Sequence, residues 1–261
     1  MFSMRIRAGN PAGRCTRAGF SLVSLCLAAT LGCSDSDNVL NPPAEIVRGS
    51  GVAATEDRVI AGVSTVAMSA FGDLYVESGA QESLRLEAED NLLGYLQTYL
   101  DNGTLRIRKI GSVDLRPTLP IEFHLTVPAL DGIVHTGVGS VEAVGLTGAA
   151  LVVVHSGVST MNFDDLDLGV LEVTMSGVGE IEASGTVNRQ QVVLTGVGTY
   201  EAEGLDCVDA EMTLSGLGSA TLRASGTLDV TISGSGSLGY YGDPVLTVNG
   251  TGSGQVTRLG D

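Results

Sequence analysis

The chain has 261 residues, of which 43% are hydrophobic, 36 are glycine and none is tryptophan, so its buried core must be largely aliphatic. Its 14 basic and 30 acidic side chains give a formal net charge of −16. Such an acidic surface repels phosphate backbones, which argues against nucleic acid as a partner.

Residues 1–32 have the pattern of a secretory signal peptide. Four arginines and no acidic side chain precede the apolar run 18–31, and export signals share this order of a basic and a short apolar stretch. The run ends in Thr-Leu-Gly-Cys33, which resembles the lipobox of bacterial lipoproteins, so we predict that Cys33 is lipidated and begins the mature chain. Thr30 stands where that motif normally has leucine, so cleavage by the ordinary signal peptidase is the alternative.

Residues 33–46 are polar and contain two prolines, and we predict that they form a flexible tether. Loss of residues 1–32 removes four basic and no acidic side chains, which leaves 10 basic and 30 acidic residues and a net charge of −20. The serine after Cys33 is compatible with an outer-membrane lipoprotein of the bacterial cell envelope, held in the membrane by its lipid anchor. The sequence leaves open whether the protein faces the periplasm or the cell surface.

Residues 47–128 consist of short stretches that alternate apolar and polar side chains and are separated by glycine, as half-buried strands are. Within them Asp90–Leu100 has leucines at helical spacing, but Gly94 weakens the pattern, so one or two helical turns and a strand are both compatible with it. We predict that this N-terminal β-rich region forms opening coils or a cap, because an open coil end would template aggregation.

Residues 129–261 carry seven glycine-centred motifs, and Ser or Thr precedes the glycine in most of them. The first glycines are Gly137, Gly157, Gly177, Gly196, Gly216, Gly234 and Gly250. They are 20, 20, 19, 20, 18 and 16 residues apart, and a period near 20 fits one coil of a β-solenoid whose repeats stack on their neighbours. The sequence therefore predicts an all-β fold with glycine-punctuated coils over 129–261.

Aligning the motifs predicts which side chains the coils bury. Positions four and two residues before the first glycine are apolar in almost every repeat, so both face inward on a strand. His135 and His155 share one of these columns, where we expect packed, hydrogen-bonded core histidines; a two-histidine metal site finds no third ligand in register. Cys207, the only cysteine after Cys33, is expected to be a small buried filler.

Several segments resemble one known bacterial family. They are the opening Gly-Ser-Gly with Glu56 and Arg58 before the strands from Val63 to Val76, then Glu87-Ala-Glu-Asp-Asn-Leu92, Asn102-Gly-Thr-Leu-Arg-Ile107, and the Ser/Thr-Gly-x-Gly coils. Together they are similar to the DUF2807 family, also called putative autotransporter adhesin, head GIN domain, over about residues 48–256. The resemblance implies a right-handed parallel β-helix in an envelope protein, and it brings no catalytic motif. The glycine spacing sets its coils at 16–20 residues.

Outward positions on the second strand of each coil carry a set of carboxylates. They are Glu142, Asp164, Glu182, Glu201 and Glu203. Coils stack ~4.8 Å apart, so these groups repel one another unless water, salt or a cation screens them. We predict a candidate face for a divalent cation or a basic ligand; the alternative is a solvated acidic surface that keeps an apolar solenoid soluble.

The favoured function is that of a non-catalytic, adhesin-like envelope lipoprotein whose polar and acidic side binds a glycan, a protein or further copies of itself. The alternative is a polysaccharide-acting lyase or hydrolase of the envelope, because parallel β-helices host such enzymes and carboxylates can act as acid and base. Coils of 16–20 residues leave little room for the loops that build a substrate cleft. We therefore predict no catalytic residue. Apart from the candidate cation face, the sequence predicts no metal site and no cofactor.

Overall fold

The computed structural model describes residues 45–261. The predicted signal peptide (1–32), Cys33 and nearly all of the predicted tether (33–46) lie outside the described residues. Within the described part the chain is all-β, with twenty strands and one 3-10 turn at Leu93–Tyr95. No helix in that part is long and apolar enough to cross a membrane.

The first nine strands precede the repeated coils. They are β1 (Ile46–Arg48), β2 (Ala53–Arg58), β3 (Thr65–Met68), β4 (Asp73–Ser78), β5 (Ser83–Glu89), β6 (Leu96–Asp101), β7 (Thr104–Lys109), β8 (Asp114–Arg116) and β9 (Glu122–Val127). The remaining strands are β10 (Gly132–His135), β11 (Val138–Val144), β12 (Thr147–His155), β13 (Val158–Met175), β14 (Val178–Leu194), β15 (Val197–Leu214), β16 (Ser219–Arg223), β17 (Thr227–Ile232), β18 (Ser237–Tyr241), β19 (Val245–Gly250) and β20 (Gln255–Gly260).

Parallel pairing joins each coil to the next. One column of register partners consists of Val141, Met161, Ile181, Tyr200, Ala220, Leu238 and Val256. Successive members are 20, 20, 19, 20, 18 and 18 residues apart, close to the predicted period. All but the last are buried, so one largely aliphatic core runs along the coil axis. The predicted parallel β-solenoid is confirmed.

The last repeat differs from the prediction. Gly250 pairs with Ile232, which is an inward position, whereas Gly252 stacks on Gly234, since a Cβ added to Gly252 would lie 2.3 Å from the Gly234 carbonyl oxygen. The prediction that Gly250 opens the last motif is therefore wrong: Gly252 does, and that coil has 18 residues rather than 16. Glycines at 250, 252 and 254 all lie near the expected spacing, and only backbone stacking distinguishes them.

The N-terminal part supplies two coils in an order that differs from the sequence. β3 and β4 pair in parallel with β10 and β11 on one side and with β7 and β9 on the other. The coil made of β7 and β9 is therefore the outermost one, although it follows β3 and β4 in the chain. A further parallel pair, β1 with β8, forms a separate two-stranded sheet.

Antiparallel strands cover the edge of that outermost coil. β6 pairs with β7, β5 pairs with β9, and β2 pairs with β5. β2 carries Glu56, Asp57 and Arg58, and charged side chains on an edge strand discourage pairing with another chain. The N-terminal part thus contains both coils and a cap, and the predicted capping region is confirmed.

The Asp90–Leu100 segment adopts both structures that the sequence left open. The 3-10 turn Leu93–Tyr95 leads directly into β6, and Leu92 and Leu96 are buried on either side of it. A Cβ added to Gly94 would meet nothing within 4 Å, so no close contact requires glycine at this turn.

The coil core also holds a few polar side chains. The Tyr200 hydroxyl donates to Gln190 Oε1 at 3.0 Å, and Gln190 Nε2 donates to the Arg223 carbonyl oxygen at 3.3 Å. Both side chains are buried, and this chain of hydrogen bonds offsets the cost of removing them from water. Cys207 is buried as well, and burial raises the pKa of its thiol, which agrees with the expected filler.

Candidate functional site

The acidic residues predicted from the sequence lie on one outward face of the coils. Glu142, Asn162, Glu182 and Glu201 are successive register partners on β11, β13, β14 and β15. Their inward neighbours are buried, so the alternation along each strand turns these four positions outward. Asn162 separates Glu142 from the two other carboxylates of this column.

Four of the five predicted residues line one shallow pocket of about 190 Å³; they are Asp164, Glu182, Glu201 and Glu203. We call this set the acidic pocket. Two β-bulges shape this pocket. The register of the pairing between β13 and β14 shifts after Phe163. The register of the pairing between β14 and β15 shifts opposite Ala183, where Glu203 is the extra residue on β15. Glu142 does not line this pocket.

Glu180 belongs to the same cluster, although the sequence analysis did not include it. The carboxylate oxygens of Glu180, Glu182 and Glu201 lie within 4.8 Å of one another. Glu180 stands two residues before Glu182 on one strand, so the period-2 alternation could have revealed it. Three carboxylates at this spacing repel one another in water-filled surroundings.

The negative charges of the acidic pocket are not neutralised by neighbouring basic side chains of the described chain. Partial burial raises the pKa of Glu201, and the charges of Glu180, Glu182 and Glu203 raise it further. Among residues 45–261, none of the four pocket carboxylates forms an ion pair. A cation or a basic group bound here would therefore relieve repulsion that the protein itself leaves in place.

Arg223 borders the acidic pocket without neutralising it. Arg223 Nε donates to the backbone carbonyl oxygen of Glu203 at 3.2 Å and lies 3.7 Å from Asp206 Oδ1. Its guanidinium also lies over the Tyr241 ring, 5.2 Å from the ring centroid. These contacts hold the guanidinium at the rim and leave the side-chain carboxylates of the pocket exposed.

The core histidines are packed, but only one has hydrogen bonds. The His135 and His155 rings stack with centroids 6.0 Å apart. His155 Nδ1 lies 3.2 Å from Ser159 Oγ, and His155 Nε2 lies 3.4 Å from the Val178 carbonyl oxygen. Within the described chain neither ring nitrogen of His135 has a hydrogen-bond partner, so the expectation of a hydrogen-bonded ring is wrong for His135. On the next coil, the register partner of His135 is Met68.

The environment of this histidine pair favours neutral rings. Burial, together with the smaller effect of the nearby His155 charge, lowers the pKa of His135 to about 4. Burial also lowers the pKa of His155. The pair is thus part of the apolar core at neutral pH and supplies no proton there.

Comparisons with known proteins agree with this architecture. A crystallised putative adhesin from Bacteroides fragilis is 25% identical, with a TM-score of 0.79 over 82% of this chain and 100% of the other. A putative lipid binding protein from Parabacteroides distasonis is 23% identical, with a TM-score of 0.65 and the same coverage. A putative adhesin from Parabacteroides merdae is 19% identical, with a TM-score of 0.62 over 83% of this chain and 100% of the other. These last two share the fold.

No curated protein matches the sequence. The model of one protein family matches residues 63–244, which include the N-terminal coils, the antiparallel strands β5 and β6, and the repeated coils through β18. That match spans well over half of the chain. The chain belongs to the DUF2807 family, described as putative auto-transporter adhesin, head GIN domain.

Proposed function

We propose that this protein is a non-catalytic lipoprotein of the bacterial outer membrane that binds a glycan or protein ligand through the acidic pocket. The observation that carries the proposal is the group of four exposed carboxylates without ion-pair partners in the described chain. The description of the family and the name of the Bacteroides fragilis protein support the adhesin-like part. The lipid anchor rests on the sequence around Cys33.

The shape of the acidic pocket favours binding over catalysis. Its volume of about 190 Å³ is below the ~300 Å³ at which small-molecule pockets usually begin. Glycoside hydrolysis needs two carboxyl groups on opposite sides of the scissile bond, with different pKa values. The carboxylates of the pocket instead lie side by side on one sheet face, where a ligand can contact them only from the outside.

The charge of the pocket defines the kind of ligand. A basic protein segment or a glycan that carries amino groups would supply the missing positive charge, directly or together with a divalent cation. Arg223 at the rim could contact an acidic or hydroxyl group of the same ligand, since its guanidinium is partly exposed. Binding of this kind weakens with increasing salt.

Ligand binding can be tested with a lysine-rich peptide and a glycan array as probes. We expect the purified protein to retain the peptide at low salt, and the Glu182→Gln, Glu201→Gln double variant to bind it at least tenfold more weakly. Glu142→Gln is the matched control, because it removes one charge from the same column outside the pocket. Equal binding by all three proteins would contradict a role of the acidic pocket.

The location can be tested on intact cells. Protease treatment beside a periplasmic marker should cleave a surface-exposed protein and leave the marker intact; protection, with cleavage after permeabilisation, would place it on the periplasmic side and remove the adhesin-like function. Cys33→Ser should release the protein from membranes if the cysteine carries the anchor. Membrane retention of that variant would contradict lipidation at Cys33.

The enzyme alternative makes a different prediction. Incubation with purified envelope polysaccharides should release no reducing ends and no unsaturated uronates if the protein is non-catalytic. Release by the wild type that the double variant Glu182→Gln, Glu201→Gln lacks would overturn the proposal, because it would assign acid–base chemistry to the pocket.

A further inference from the structure

A second group of metal-binding side chains lies in the N-terminal part, well outside the acidic pocket. Glu87 on β5 stands directly opposite Glu122 on β9 in the antiparallel ladder. His124 lies two residues beyond Glu122, so all three side chains are on the outward face. One ligand atom from each lies within 4.8 Å of those of the other two.

The imidazole of this group is held in place. Tyr75 on β4 is the register partner of His124, and the two rings stack with centroids 4.8 Å apart and an interplanar angle of 9°. At the edge of the ring, His124 Nε2 lies 3.2 Å from Glu122 Oε2. A ring fixed between an aromatic side chain and a carboxylate needs little reorganisation to bind a metal ion.

The charges around the ring favour a cation. Asp73 on β4 is the register partner of Glu122, so it adds a third carboxylate to the row that starts at Glu87. Arg85 faces His124 across the ladder, but its Nε donates to Asp57 Oδ1 at 2.9 Å.

Space is available for further ligands of such an ion. A surface pocket of about 700 Å³ is lined by Glu87 and His124 together with side chains from β2 and the start of β5. Water or an oxygen atom of a bound molecule can therefore approach Glu87 and His124 from this pocket. Metal sites with three protein ligands and one open position have this arrangement.

We propose that Glu87, Glu122 and His124 bind one divalent ion of the zinc class, with one coordination position open to the pocket. The nitrogen ligand is the reason for this choice, because imidazole suits zinc and neighbouring transition metals, whereas calcium and magnesium take oxygen ligands. The cluster of Glu180, Glu182 and Glu201 offers only carboxylates and has no such preference. The zinc site is independent of the proposed ligand binding at the acidic pocket, which lies on other coils.

The site can be tested by zinc titration against a chromophoric chelator, using full-length protein with alkylated cysteines. We expect one zinc equivalent, and at least tenfold weaker binding by His124→Gln and by Glu122→Gln. Glu172→Gln is the matched control, because it removes one exposed carboxylate outside both carboxylate groups, and it should bind zinc as the wild type does. An excess of calcium should not displace the zinc.

Two further measurements locate the ion and check the fold. Anomalous diffraction from zinc-soaked crystals should show a peak between the three side chains, and zinc should raise the Tm of the wild type but not of His124→Gln. Circular dichroism without metal should be the same for all variants, because the three side chains face outward. Unchanged zinc affinity in His124→Gln, or a peak at Glu180, Glu182 and Glu201, would overturn the proposal.

Discussion

The repeated coils and the N-terminal part pair their β-strands in different ways. In the coils each residue stacks on its counterpart one turn away, so one kind of side chain extends into a column, as Glu182 and Glu201 do. In the N-terminal part antiparallel pairing brings residues such as Glu87 and Glu122 face to face once. Parallel stacking therefore produces extended faces, whereas the antiparallel strands of the cap produce single, local groups of side chains.

The largest expected loss of stability follows from a substitution that separates two stacked glycines of neighbouring coils. In Gly177→Ala the new Cβ would lie 2.2 Å from the Gly157 carbonyl oxygen, so two backbones must move apart. We expect a loss of roughly 3 kcal/mol in the free energy of unfolding, measured by urea denaturation. Gly94→Ala is the matched control in the N-terminal part, where a Cβ meets nothing within 4 Å, and it should be neutral. Equal stability of the two variants would contradict the stacked-backbone explanation.

The same contrast explains what the sequence could predict. Columns follow from a period alone, so the buried column from Val141 to Leu238 and the placement of Glu182 beside Glu201 could be derived from the spacing of glycines. Pairing between β5 and β9 follows no period, so the approach of Glu87 to Glu122 could not be derived from the sequence. Only the position of Glu122 and His124 on one face of the same strand could be derived, from their spacing of two residues. The β-bulges that shape the acidic pocket also interrupt the period locally.

Acid should weaken the coils through His135. Its pKa falls from an ordinary value near 6.5 to about 4 in the folded protein, so the unfolded chain binds the extra proton between these values. Stability is therefore full above pH 6.5 and decreases as the pH falls towards 4, by about 3 kcal/mol in total. His135→Met matches Met68 in the same column and should remove most of this loss in urea denaturation at several pH values.

The control for that experiment lies in the other region. His124 is 40% exposed, so His124→Gln should keep the acid sensitivity of the wild type. If His135→Met and the wild type lose stability in parallel between pH 6.5 and 4, the buried ring is not the cause.

The cap should open separately from the coils when Glu89 is changed. The buried carboxylate of Glu89 accepts hydrogen bonds from the Gly51 amide and from both the amide and the hydroxyl of Thr118. These bonds lower the pKa of Glu89, and the bond from the Thr118 hydroxyl contributes most. Glu89→Gln replaces one acceptor oxygen with a donor, so we expect faster hydrogen exchange at residues 50–52 and 117–119. Exchange on β13 to β15 should be unchanged.

The pH dependence of this contact has the opposite origin to that of His135. Because folding lowers the pKa of Glu89, its contribution is present above the ordinary carboxyl value and is lost as the pH falls through the folded value. Exchange in the cap should therefore accelerate only at a pH below that at which the histidine begins to weaken the coils. Uniform acceleration over cap and coils would show that the two regions open as one unit.

The smallest expected effect is the change in stability when the charge of Glu201 in the acidic pocket is removed. Folding raises the pKa of Glu201, so its contribution is present below the ordinary carboxyl value and is lost as the pH rises through the folded value. At pH 7 the charged side chain is therefore unfavourable, and Glu201→Gln should raise the Tm by about 1 °C. The gain should shrink at high salt, which screens the neighbouring charges but not the effect of burial, and it should disappear at acidic pH; Glu142→Gln, beside Asn162, should show none. A lower Tm for Glu201→Gln would mean that the carboxylate makes a stabilising contact, and the acidic pocket would then owe its charge to the fold rather than to a ligand.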